Sequence, residues 1–451
     1  PRRLAARAAA ARMAATLREE VGRTVGLRVR FGSRVSADSR IEVVTEGIFT
    51  RMVLDDPELT GIAAVLFDEF HERSLDADLG LALAREAQQG LREDLRLVVM
   101  SATLDGARVA ALLGDAPVVE SAGRAFPVET RYLGRDPRAR IEGEVAAAVL
   151  RALRADPGSV LVFLPGAGEI RRTETLLRER LDDPAVDVVA LYGALDARTQ
   201  DRAIAPAPNG RRKVVLATSI AETSLTVPGV RIVVDGGFRR TPRLDPASGL
   251  ARLVTVRISR AAAEQRAGRA GRTAPGVAIR LWTEALHRGL ALQDRPEILE
   301  AELSGLALDC AAWGAAPSEL PFPDPPPAGA LAAGRALLAD LDALDGEGRI
   351  TAMGRAMARM GTHPRLARML LAAEDEGEKA LAADLAALLE ERDPIRGREA
   401  PSDINLRLEL LHGADHRDAD HATIHRIRRA AALHRRRLRL HGSALPGGAA
   451  G

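Results

Sequence analysis

The sequence predicts an α/β protein: two doubly wound parallel-sheet domains followed by a mostly helical region. Three observations predict it. Short, continuous apolar runs such as Val65-Leu66-Phe67 and Val160-Leu161-Val162-Phe163 recur with helical stretches between them, the pattern of a parallel sheet. Several of these runs end in small, polar or acidic residues, where open α/β sheets place their ligands. After about residue 285 the runs stop and the composition becomes helical almost throughout.

The elements follow in order. Ala5 to Glu20 reads as a helix. Leu27 to Phe31 and Ile41 to Thr45 read as strands, and Thr45-Glu46-Gly47 closes the second. Ile62 to Phe67 reads as a buried parallel strand, followed by a helix from Asp76 to Gln89 and a buried strand Leu97 to Met100. Residues 123–140 are rich in Gly, Pro and Asp and read as a linker. A second alternating unit has helices at 141–154 and 169–181 and strands at 160–164, 186–191, 214–217 and 230–234. A hairpin turns at Asp245-Pro246-Ala247-Ser248-Gly249, and an arginine-rich helix starts at Ala261. Leu299 to Trp313 is helical, 322–327 is a stiff proline linker, and Pro364 starts a later helix.

Composition narrows the class. The 451 residues imply roughly three or four domains. Hydrophobic residues make up 46% and charged residues 28%, as in a soluble globular protein. The net charge is +2 and the bases are nearly all Arg, with Lys only at 213 and 379. Arginine grips phosphates with a forked donor set, so nucleic acid is permitted as a partner though not demanded. A single cysteine, Cys310, excludes an intrachain disulfide and fits a reducing compartment. No apolar run reaches the length of a membrane span. The chain opens on Pro1 without Met and closes on a Gly/Ala tail, which reads as a fragment cut at both ends.

The candidate chemistry starts at Asp68-Glu69-Phe70-His71. Two adjacent carboxylates after a strand suit a Mg²⁺ that also takes phosphate oxygens, with one carboxylate free to activate water. Three stretches complete the pattern: Ser101-Ala102-Thr103, Ala221 to Thr226, and Gln265 to Arg272 with three arginines in eight residues. Arginines beside small residues stabilise the spread charge of a phosphoryl transition state. Carboxylates in one sheet domain and arginines in a second suggest a nucleotide held between them. Bland readings stand beside these. Phe70 and His71 could be core positions, Ser101 and Thr103 a helix cap, and Arg2 and Arg3 surface charge. Arg426 to Arg439, with His425, His434 and His441, reads mainly as a solvated face, with phosphate contact the rival reading for Arg435-Arg436-Arg437. Cys310, Trp313, Met353, Met357 and Met360 read as core.

In order and spacing these stretches resemble the superfamily 2 DEAH/DExH-box helicases. The phrase Asp68 to Asp78 is most similar to the bacterial HrpB-type members. Pro1 to Ala6 matches motif Ia, Thr45 to Gly47 motif Ib, Asp68 to His71 motif II and Ser101 to Thr103 motif III. Leu161 to Gly166 matches motif IV, Thr218 to Thr226 motif V, Asp235 to Gly237 motif Va and Gln265 to Arg272 motif VI. The resemblance implies two RecA-like domains at 1–122 and 123–285, a winged-helix-like domain at 286–350 and a helical ratchet-like bundle at 351–445. It implies an ATP-dependent translocase that moves 3′ to 5′ along single-stranded RNA, or DNA as the second choice, in the bacterial cytoplasm. Asp68 would hold Mg²⁺, Glu69 would activate water, and Gln265 would position water or the γ-phosphate. Arg269 and Arg272 would be arginine fingers, while Ser224 and His71 would lie at the nucleotide. Ser101 and Thr103 would couple to the strand track, and Arg2, Arg3, Thr45, Gly47 and Thr218 would hold the nucleic-acid backbone. The hairpin between Phe238 and Val256 would be a strand-separating wedge.

The chain departs from the family in three places. No G-x-x-x-x-G-K-[ST] phosphate loop occurs in it, so it is expected to bind ATP poorly as it stands, with that loop just before Pro1. Pro228 stands where relatives often carry an acidic residue. Ile204 stands where many place an aromatic against adenine, which predicts weak base selectivity among nucleoside triphosphates. A second reading from the same residues is a nucleic-acid-binding module without turnover.

Overall fold

The computed structural model describes residues 3–30, 32–102, 106–121, 123, 126–136, 138–208, 210–222, 227–245, 250–395 and 400–440. Arg2, Thr103, Ser224 and the hairpin turn at 246–249 therefore lie outside the described residues. The chain divides into two compact units: residues 1–28, 34–49 and 61–301, and residues 29–33, 50–60 and 302–451.

The first unit is built around a six-stranded parallel sheet in the order Val128–Tyr132, Gly276–Arg280, Val230–Asp235, Ser159–Phe163, Arg212–Ala217, Val186–Leu191. The period of two in each strand fills both faces. Val160, Val162, Val214, Ile232 and Val234 share a cluster with Val145 and Val149 of helix Ile141–Ala155 and with Ile170 and Leu177 of helix Ala167–Arg180. Leu161, Phe163, Val215 and Val233 meet Ala267 and Ala270 on the other face. The central strand Ser159–Phe163 has later strands on both sides, so the order reverses there and opens a crevice at the carboxyl ends. Phe238–Asp245 and Leu250–Arg257 pair antiparallel as the hairpin.

Two strands of this sheet escape the sequence reading. Val128–Tyr132, placed above in a linker, is an edge strand, and its polar Glu129, Thr130 and Arg131 are what an edge tolerates. Gly276–Arg280 is a short insertion between Pro275 and a buried arginine, too interrupted to read as a run. Helices Glu46–Asp55 and Ala197–Ile204 were likewise not legible.

The first 122 residues carry smaller sheets. Val25–Val29 pairs parallel with Ile41–Val44, and Ala64–Phe67 pairs parallel with Arg96–Val99. The expectation that the latter two strands are buried does not hold. Leu66 is 58% and Val98 43% exposed, and of the strand Ala64–Phe67 only Phe67 is buried. A continuous apolar run needs cover on both faces. In this pair the alternate positions Ala64, Leu66, Arg96 and Val98 face solvent.

The second unit is helical. Ser304–Trp313, Ala328–Asp340, Ala352–Met360, Pro364–Ala372 and Glu376–Glu390 enclose a core of Leu308, Leu338, Met357, Met360 and Leu370. Leu344 and Ile350 bridge antiparallel across Gly346-Glu347-Gly348. Pro364 opens its helix, with the His363 side chain accepting from the Arg365 amide. Helices Ile404–Leu411 and His421–Arg437 close a second core with Ile424 and Ile427. Two of the three tail arginines have internal partners. Arg435 donates to Asp384 at 2.6 Å and Arg437 to the Met360 carbonyl, which leaves neither free for phosphate. No helix among the described residues is long and apolar enough to cross a membrane.

Candidate active site

The site begins where strand Ala64–Phe67 ends. Asp68 is exposed, and its Oδ1 accepts from the Glu69 amide at 2.9 Å. A one-turn 3₁₀ helix, Phe70–Glu72, follows, bracketed by two non-glycine residues in the left-handed region: Glu69 at φ 54° and Arg73 at φ 48°. Each such residue costs about 1–3 kcal/mol, so the surroundings must hold the turn. They do so from several sides. Phe70 is buried edge-to-face against Phe67, with centroids 6.2 Å apart, and its amide donates to the Met100 carbonyl at 3.0 Å. Arg73 forks onto the fully buried Asp78 at 2.9 and 2.8 Å. Ser74 caps helix Leu75–Gly90 and donates to Glu46 at 2.7 Å.

His71 joins three stretches. Its Nδ1 accepts from the Ala102 amide at 3.3 Å, next to Ser101. Its Nε2 lies 2.8 Å from the Gln265 amide group and 3.5 Å from the Glu69 carboxylate. With Nδ1 already accepting, the proton of a neutral ring sits on Nε2, so the fitting partner there is the Gln265 amide oxygen.

Gln265 lies on helix Arg260–Gly268, capped by Ser259, whose hydroxyl accepts from the Ala262 amide at 3.1 Å. The three arginines that follow divide the work. Arg266 is 1% exposed. It pairs with Glu222, donates to Asp235 at 2.7 Å, and lies 4.7 Å above the Phe163 ring. Burial alone would lower its pKa, but Asp235 and Glu222 outweigh burial and hold it above the usual guanidinium value. Arg269, also buried, donates to the Glu222 backbone carbonyl. Desolvation and then the neighbouring Arg272 lower its pKa to about 10, against the opposing pull of Glu69 and Glu222. Desolvation lowers Arg272 as well, again opposed by Glu69. Both cations therefore sense the Glu69 carboxylate and remain protonated at neutral pH. Gly271 allows the close approach that sets this turn, since a Cβ there would lie 2.5 Å from the Phe126 carbonyl oxygen.

Asp68, Glu69, His71, Ser101, Gln265, Arg269 and Arg272 thus form one neighbourhood. The remaining residues read from the sequence lie elsewhere. Arg3 is exposed at the start of helix Arg3–Thr16. The Thr45 carbonyl accepts from the Ile48 and Phe49 amides, and Gly47 leaves room for Asp76. Thr218 follows strand Arg212–Ala217, its amide donating to the Leu191 carbonyl at 3.3 Å. Sequence reasoning missed Glu222 and Asp235 as the partners of Arg266. The available signal was that a buried arginine requires carboxylates, and both lie in stretches read only as motifs V and Va.

Comparison with known proteins matches residues 144–274 to the helicase conserved C-terminal domain and 336–361 to the winged-helix helicase associated domain HA2. The chain is 51% identical over 392 residues to the ATP-dependent RNA helicase HrpB of Escherichia coli (strain K12), covering 87% of this chain and 48% of that protein. It is 38% identical over 388 residues to the pre-mRNA-splicing factor ATP-dependent RNA helicase prp22 of Schizosaccharomyces pombe, covering 84% of this chain and 33% of the relative. The crystal structure of Escherichia coli DEAH/RHA helicase HrpB superposes with a TM-score of 0.88 at 46% identity, covering 98% of this chain and 54% of that one. The chain spans about half the length, or less, of the curated relatives it matches.

Proposed function

The chain belongs to the DEAH/RHA helicases of HrpB type, and from that premise we propose that the protein hydrolyses a nucleoside triphosphate to move 3′ to 5′ along single-stranded RNA. One observation carries the reading: His71 links the carboxylate turn to Gln265 at 2.8 Å, with Arg269 and Arg272 in electrostatic reach of Glu69. That arrangement supports phosphoryl transfer by positioning and charge stabilisation. Glu69 takes the proton of the attacking water, and Gln265 orients it. Arg269 and Arg272 take up the charge that develops on the transferring phosphate. Ser101 and Thr103 pass changes at His71 toward the strand track. Arg2, Arg3, Thr45, Gly47 and Thr218 hold the RNA backbone, with Ser224 beside the nucleotide and the hairpin as the wedge. Contacts to phosphates make this grip largely independent of sequence, with single-stranded DNA as the second choice of substrate.

The donor set fits Mg²⁺. Asp68 keeps one oxygen free of the Glu69 amide, and no described cluster of three or more His, Cys, Asp or Glu is arranged to hold a metal. Asp68 would hold the ion with nucleotide oxygens and water as the other ligands, the usual Mg²⁺ arrangement, and the ion would neutralise phosphate charge.

The test is hydrolysis of ATP by the full-length protein with and without single-stranded RNA. RNA stimulates turnover, and Glu69→Gln lowers it by about 10²–10⁴-fold while RNA binding persists. Binding that weakens steeply with salt, without stimulated hydrolysis, overturns the enzyme reading in favour of a binding module.

A further inference from the structure

The segment between helix Glu284–Arg288 and the helical unit touches three functional elements within ten residues. At its start, the Ala291 and Leu292 carbonyls accept from the Arg260 and Ala261 amides at 2.8 and 3.0 Å, at the head of the helix that carries Gln265. In its middle and at its end it holds the hairpin. Asp294 accepts from Arg239 at 2.7 Å, and Glu300 accepts from Arg243 at 3.4 Å. Arg239 and Arg243 lie four apart on strand Phe238–Asp245 and so share a face. Between these two contacts it reaches the carboxylate turn. The Glu297 amide donates to the Arg73 carbonyl at 3.0 Å, and the Glu297 carboxylate accepts from the Leu75 amide at 2.9 Å. Pro296 and the fully buried Ile298 stiffen and anchor the segment.

The residue it grips, Arg73, is one of the two left-handed residues that bracket His71. Its amide closes the turn onto the Phe70 carbonyl at 3.0 Å. The Glu297 amide holds Arg73 in this conformation, and the Glu297 carboxylate ties Leu75 to the same segment, so a shift of the segment with the hairpin is carried to Phe70–Glu72 and to the His71 contact with Gln265. The hairpin's ion pairs are half-exposed, with side chains 25% and 50% accessible at Arg239 and Arg243, and such pairs hold little of the fold together. Their placement serves connection better than stability.

We propose that residues 291–300 are a coupling strap that transmits hairpin position to the carboxylate turn, with Glu297 as its positioning residue. This rests on the helicase reading above. The experiment measures ATP hydrolysis by the full-length protein with and without a single-stranded oligouridine RNA. Glu297→Ala leaves RNA-free hydrolysis and RNA affinity within about twofold but cuts the RNA stimulation by about 5- to 50-fold. Glu297→Gln restores stimulation, because its amide oxygen still accepts from the Leu75 amide. Stimulation unchanged in Glu297→Ala, or basal and stimulated rates falling by one common factor, overturns the strap. If Glu297→Ala does not fold, Asp294→Ala decides by the same split. If the unsubstituted protein shows no stimulated hydrolysis, the helicase reading fails instead. Hydrogen exchange then tests the strap separately: RNA binding alters protection of the Leu75 amide in the parent chain and not in Asp294→Ala, and equal responses in both overturn it.

Discussion

Replacing Arg266 by Met tests the claim that the first arginine of the cluster is a structural tie and not a phosphate ligand. The substitution keeps much of the side-chain volume but leaves Asp235, 2% exposed, and Glu222, 8% exposed, without their cation. Removing one partner of a buried ion pair costs about 3–5 kcal/mol, because the charge left behind is desolvated and uncompensated. The stacking of the guanidinium on Phe163 is lost as well, adding about 0.5–1 kcal/mol. For a unit of this size, each kcal/mol lowers Tm by about 2–4 °C, so the expected drop is about 7–24 °C. Thermal unfolding of the 451-residue chain by circular dichroism reads it. The triple variant Arg266→Met/Glu222→Gln/Asp235→Asn should recover part of the loss, since it strands no charge. A Tm shift below about 2 °C, or a triple variant no better than the single one, would refute the assignment.

Four further outcomes are expected. His71→Ala removes the link between Ala102 and Gln265, a hydrogen bond of about 1–1.5 kcal/mol, and should lower stimulated turnover about tenfold with the melting temperature nearly unchanged. Gly271→Ala forces a Cβ onto the Phe126 carbonyl, a backbone atom that yields only by moving the strand, and should destabilise by about 1–3 kcal/mol in denaturant unfolding. Arg269, at about 10, loses its proton as pH rises through that value, so turnover should fall on an alkaline limb near pH 10 while the buried cation's cost to the fold is relieved. In the helical unit burial alone would raise Glu390, but hydrogen bonds from His434 and Thr362 and the charge of Arg30 outweigh it and bring its pKa to about 2. Such a group stabilises fully above the unfolded value and loses that contribution as pH falls through about 2. It contributes at most about 3 kcal/mol before solvent screening, and Glu390→Gln should flatten stability between pH 4.5 and 2 in acid unfolding.

The sheet was legible wherever a strand is buried on both faces. Ser159–Phe163, Arg212–Ala217 and Val230–Asp235 are central, and their composition leaves no polar alternative. The edge strand Val128–Tyr132 was not legible, because Glu129 and Thr130 are exposed and its polar centre carries the composition of a loop. The opposite error arose at Ala64–Phe67. Its apolar run has the same chemistry as a central strand, and nothing in four residues records whether the second face is covered. At the site, the motif spacing gave Gln265 and His71 separately, but not their 2.8 Å contact. Nor could spacing rank the arginines. Arg266, Arg269 and Arg272 follow one another at intervals of three, and only the carboxylates from two other elements single out Arg266.

That division explains the charge state of the other two. Arg266 takes ion pairs with both buried carboxylates, while Arg269 senses Glu69, Glu222 and Arg272 and donates to the Glu222 carbonyl, and Arg272 senses Glu69. Burial and the neighbouring Arg272 disfavour the charged form of Arg269, and Glu69 and Glu222 oppose them only in part. A surface that only needed solubility would place them in water, where the lowering of Arg269 to about 10 would vanish. The cost is intelligible for a site that binds a polyanion. A phosphate chain entering beside Glu69 adds negative charge and raises both guanidinium pKa values toward normal. The repulsion between the two arginines is thereby relieved as the ligand binds. Glu69 then sets a limit. Its charge partly neutralises the arginines before the ligand arrives, so Glu69→Gln should tighten nucleotide binding while lowering turnover about 10²–10⁴-fold, the opposite of what loss of a simple binding residue would do.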